Sequence, residues 1–82
     1  MDKNEIIRIC EEIEIKNHSI KYEEAELLVY IEAPITEGQF CVCYEDFHPH
    51  LEENYLHINE GSQWYPVDIE DIESIYFEVS HF

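Results

Sequence analysis

From residue 23 to residue 82 the chain contains no lysine and no arginine. All four basic residues, Lys3, Arg8, Lys16 and Lys21, lie before that point, with five acids, for a net charge of −1. The rest carries fifteen acids, a net of −15 within the total of −16. So acidic a surface repels DNA, RNA and anionic membranes, which excludes direct nucleic-acid binding. Two glycines leave little material for a phosphate cradle. No stretch nears the roughly 18 consecutive apolar residues of a membrane span. The N-terminal MDKNEIIRICEE has no apolar signal core ahead of its charges, and three cysteines are an odd number for a disulfide scaffold. A reduced, cytoplasmic protein is the expectation.

The acids do not form a tail. They alternate with Ile, Leu, Val, Tyr and Phe, and 45% of the residues are hydrophobic. They therefore belong to a folded surface, and residues 1–82 read as one acidic binding domain. Solubility accounts for a net charge of about 2–8 on a small domain, well short of −16.

Asp2 and Glu5 have capping-box spacing, and Ile6, Ile9, Cys10 and Ile13 recur at helical spacing. These predict a helix over 3–14. Glu11, Glu12 and Glu14 would then crowd its negative end, against the macrodipole. AELLVYIEAP alternates as a half-buried strand, with Ala25, Leu27, Val29, Ile31 and Ala33 inward, although KYEEAELLVY also allows a helix. PITEG suits a hairpin loop with Gly38 at positive φ. QFCVCYE, YLHIN, QWYPV and IYFEVS read as further strands. DFHPHLEEN reads as a loop, NEGS as a turn, and DIEDIES as one or two helical turns capped by Asp68. The expected fold is α+β: an N-terminal helix on an antiparallel β-meander of four to five strands, with a short helical turn before the last strand. A small open β-barrel is the alternative.

CVCYEDFHPH concentrates Cys41, Cys43, His48 and His50. Zinc sites use C-x2-4-C, where a turn lets the sulfurs converge, whereas C-x-C on a strand holds them about 6.6 Å apart at the backbone. These four residues are the metal candidates, on poor spacing, and no cofactor is expected. No nucleophile elbow, phosphate loop, zinc-protease helix or EF-hand loop is present, so the chain does not read as an enzyme.

The stronger constellation is the outward face of the sheet: Glu24, Glu26, Tyr30, Glu32, Glu45, Tyr55, Tyr76 and Glu78. Alternate carboxylates on a strand, about 6.6 Å apart, match the order of spacing between DNA phosphates. The aromatics between them supply rigid contact area. A second acidic surface is the turn with Glu70, Asp71 and Glu73 beside Trp64 and Tyr65. The plainer reading is a solvated polar face, with Trp64 in the core.

These features imply a small inhibitor that docks on the basic, nucleic-acid-binding surface of a partner protein. By analogy of charge this is the DNA-mimic type found among phage inhibitors of host or defence enzymes. An immunity protein or antitoxin against a basic nuclease would need the same surface. A zinc-binding regulator is a third reading. Open sheet edges allow a homodimer, which like-charge repulsion opposes.

Overall fold

In the computed structural model all residues are described except Thr36, Glu37, His48, Gly61 and Ser62; the side chains of Asp46 and Glu60 are likewise not described. The helix α1 runs over Lys3–His18. Asp2 caps it, Oδ1 accepting the Glu5 N–H at 2.9 Å. Ile6 and Ile13 are completely buried, and Ile9 and Cys10 pack beside them. Burying each isoleucine side chain contributes about 1.5–3 kcal/mol.

The helix is four residues longer than expected. Lys16 and His18 occupy its last turn, where positive charge suits the macrodipole, and Glu11, Glu12 and Glu14 lie further inside. The Ser19 hydroxyl donates to the Lys16 carbonyl at 2.7 Å and closes the end. Asn17, His18 and Ser19 are weak helix formers, which masks this final turn in the sequence.

Strand β1 (Ala25–Ala33) is buried at every odd position and half-buried at every even one. Strand β2 (Gly38–Cys43) pairs with it antiparallel, from Leu28 opposite Cys43 to Ala33 opposite Gly38, and Gly38 has φ +76 as expected. The chain then makes a 3-10 turn over Tyr44–Asp46. Residues read from sequence as loop form a short strand, β3 (His50–Glu52), which pairs with β4 (Tyr55–Glu60) through a two-residue connection. Strand β5 (Gln63–Asp68) pairs with β4; the intervening residues 61 and 62 of the expected NEGS turn lie outside the described residues. Strand β6 (Ser74–His81) ends the fold.

Among the described residues, six strands form two three-stranded antiparallel sheets, ordered β2-β1-β6 and β3-β4-β5. The class is α+β, and neither sheet closes into a barrel. The order departs from a single meander because β6 pairs with β1 instead of β5. Residues 69–72 explain the crossing. Asp71 N–H bonds the Asp68 carbonyl at 3.0 Å and Ile72 N–H bonds that of Ile69 at 3.3 Å, a tight turn that sinks Ile69 and Ile72 into the core. The Glu73 N–H then meets the Glu32 carbonyl at 2.8 Å, delivering β6 to the open edge of β1. Leu27, Val29, Ile31, Leu56, Ile58 and Val67 fill the space between the sheets. Phe40 and Tyr65 meet across it at 6.3 Å.

Candidate functional site: the outer face of the first sheet

Because β1 buries its odd positions, Glu26, Leu28, Tyr30 and Glu32 stand on the opposite face. Register fixes their neighbours. Gln39, Cys41 and Cys43 lie beside Glu32, Tyr30 and Leu28 on β2, and Ser74, Tyr76, Glu78 and Ser80 lie beside Glu32, Tyr30, Leu28 and Glu26 on β6. Three strands thus present one surface with the two tyrosines at its centre.

The Tyr30 and Tyr76 rings stack, with centroids 5.0 Å apart and planes 11° from parallel. The Tyr30 hydroxyl donates to Glu78 Oε1 at 3.1 Å. Gln39 Nε2 donates to the Tyr76 hydroxyl at 2.8 Å and reaches Glu32 Oε1 at 3.5 Å. The Cys43 thiol lies 3.8 Å from Glu26 Oε2. A hydrogen bond with Cys41, desolvation and the Glu78 carboxylate push the Tyr30 phenol up to about 12. Desolvation and the Glu32 carboxylate raise that of Tyr76. Both therefore remain neutral hydrogen-bonding groups at physiological pH.

Glu26, Tyr30, Glu32, Tyr76 and Glu78 are brought together as expected of one face. The row of carboxylates is not continuous, since Leu28 and Tyr30 interrupt it on β1. Glu78 fills the gap from the neighbouring strand, about 8 Å from Glu26 and about 14 Å from Glu32 at the backbone by ideal sheet spacings. Glu45 has left the strand for the 3-10 turn and lines a small hollow with Tyr22, Glu26, Cys43 and Phe82, at the Glu26 end. Glu24 precedes β1 and borders a groove with Lys16, Lys21 and His81. Tyr55 belongs to the other sheet, opposite Glu52 and Asp68.

The second acidic surface does not assemble as read from sequence. Asp71 is 8% exposed, and its Oδ1 accepts the Ile35 N–H at 3.1 Å, so it braces the β1–β2 connection instead of facing a partner. Glu70 is exposed near Met1 and Lys3, and Glu73 is exposed at the Glu32 end of the first sheet. Trp64 is not in the core. It is 53% exposed on β5, opposite Asn59 and at the groove that holds His50 and His57. Gln39, Ser74 and Ser80 belong to the face and were missed by sequence reasoning, Gln39 being the one that hydrogen-bonds within it. The parity of Gln39 with Cys41 and Cys43 was the available signal.

The metal candidates separate. Cys41 and Cys43 lie on the outer face of the first sheet, whereas His50 lies on β3 with its ring 6.0 Å from that of His57. His48 lies outside the described residues. Among the described residues no three His, Cys, Asp or Glu side chains are placed to hold a metal ion. None of Cys10, Cys41 and Cys43 is in a disulfide, and burial pushes the Cys10 thiol up to about 11. No helix among the described residues is long and apolar enough to cross a membrane. The chain matches no protein-family model, and comparison with curated proteins and with solved structures found no match.

Proposed function

We propose that this chain is a cytoplasmic binding protein, not an enzyme, and that it docks the outer face of the β2-β1-β6 sheet on a basic, nucleic-acid-binding surface of a partner protein. One observation carries the reading: Glu26, Glu32 and Glu78 surround a stacked Tyr30–Tyr76 pair, in a region of the sequence with no lysine or arginine. Rigid aromatics at the centre with charge around them is the composition of an interface hot spot with a polar rim. The stacked rings are held against each other before any partner arrives, so little freedom of the aromatic centre is lost on binding. Opposite charge steers encounter, giving fast association that slows as salt screens it. Occupying the partner's groove blocks nucleic acid by competition. Cysteines outside any disulfide suit a reducing compartment.

The test is a low-salt pull-down from host lysate with salt-gradient elution, followed by competition between this protein and nucleic acid for the captured partner. Charge reversal at Glu26, Glu32 and Glu78 together is expected to abolish capture and competition while leaving the fold intact. A captured partner that still binds nucleic acid when saturated with this protein overturns the proposal.

A further inference from the structure

A second surface lies on the other sheet. A groove of about 790 Å³ is lined by Trp64, Tyr44, Phe47 and Pro49, by Glu14 from α1 and Glu52 from β3, and by His50 and His57. Trp64 is the single tryptophan and is 53% exposed, although an indole is among the side chains that gain most from burial. No lysine or arginine lines the groove. Glu52 Oε2 stands 3.8 Å from His50 Nε2 and 3.9 Å from His57 Nε2, beyond direct hydrogen-bond length, which leaves it able to accept from an incoming donor. Glu14 is close enough to Tyr44 to act with desolvation in raising that phenol, so its carboxylate field reaches into the groove.

We infer that this groove receives an arginine side chain of the basic partner, the guanidinium lying against Trp64 and bonding the carboxylates of Glu14 and Glu52. The inference rests on the reading of a basic partner but concerns a different surface from the docking face. A planar cation meets both demands of the lining: it stacks on an indole face, and its fork of N–H donors matches a carboxylate. An ammonium is also drawn to an indole face, but it cannot stack flat on it and lacks the fork that matches a carboxylate. A neutral apolar segment would strand two carboxylates away from water.

Trp64 fluorescence reports occupancy without any engineered probe. The isolated protein is titrated at about pH 8, above the ordinary imidazole range, with a capped Gly-Arg-Gly peptide and with its citrulline counterpart, which keeps the shape and loses the charge. Saturable binding is expected, at least about fivefold tighter for arginine, the size of one exposed cation–π contact with a weak ion pair. The paired substitutions Glu14→Gln and Glu52→Gln should erase that preference. The matched pair Glu26→Gln and Glu78→Gln, which removes the same charge from the docking face, should leave it. Equal binding of the two peptides, no saturable change, or an equal loss in both double variants overturns the inference. Because no docking-face residue takes part in the positive result, the two proposals fail separately.

Discussion

Tyr30 and Tyr76 sit directly opposite each other on adjacent strands, their rings stacked at 5.0 Å, and they tie β6 to β1 from the solvent side. The pair joins two functions of the face: it holds the edge strand in place and supplies the flat centre of the proposed interface. A double-mutant cycle with Tyr30→Leu and Tyr76→Leu is expected to give a coupling of about 0.5–1.5 kcal/mol in chemical denaturation, beyond the area each ring covers. A coupling near zero would mean that the rings merely lie side by side.

Tyr30 should ionise near pH 12, above an ordinary tyrosine. The folded state favours the neutral phenol. Stability that is complete below about pH 10, the ordinary value, therefore falls as pH climbs from there towards about 12. Cys41→Ala removes the largest cause, the hydrogen bond with the thiol, and should move the Tyr30 midpoint down towards the ordinary value. Ring-carbon chemical shifts followed by NMR give the site-specific titration.

The Asp71 carboxylate holds the Ile35 N–H from a buried position, whereas Glu70 next to it faces solvent. Asp71→Ala is expected to destabilise by about 1–3 kcal/mol, and Asp71→Asn, which keeps an acceptor oxygen, by less. Glu70→Ala should stay within about 0.5 kcal/mol of the parent. Denaturant midpoints for the three variants separate the roles, and none should alter capture of the partner once folded.

Glu53 occupies the connection between β3 and β4 with φ 55, a left-handed conformation costly for a side chain with a Cβ. Glu53→Gly and Glu53→Gln remove the same charge, so their difference isolates the backbone. The glycine variant should be more stable by about 0.5–1 kcal/mol, read from thermal and denaturant melts.

The two-residue alternation of AELLVYIEAP matches β1 residue for residue, and the structure decides for it against the helix that KYEEAELLVY also allowed. The outer-face set of Glu26, Tyr30, Glu32, Tyr76 and Glu78 followed from the same parity. Pairing was not legible. Nothing local in IYFEVS says that it returns to β1, since that choice depends on where Ile69 and Ile72 carry the chain. The same isoleucines reversed the reading of Asp71, which looked like one more surface acid until the turn around it was buried. His50–Glu52 escaped notice because three residues are too few to show alternation. The Trp64 groove gathers α1, the 3-10 turn, β3, β4 and β5, a convergence that only tertiary structure displays.

The return of β6 to β1 also predicts an order of events during folding. The β3-β4-β5 sheet closes through near neighbours along the chain, with Glu52 opposite Tyr55 and Glu60 opposite Gln63, and needs little search. The other sheet waits for Ala25 to find His81. Until it does, one whole edge of β1 is open, and its buried-side row of Leu27, Val29 and Ile31 lacks that neighbour. The acidic face draws Tyr76 and Glu78 from β6, so its assembly is expected to be the late step, and a chain caught midway carries the charge of the proposed interface without its shape.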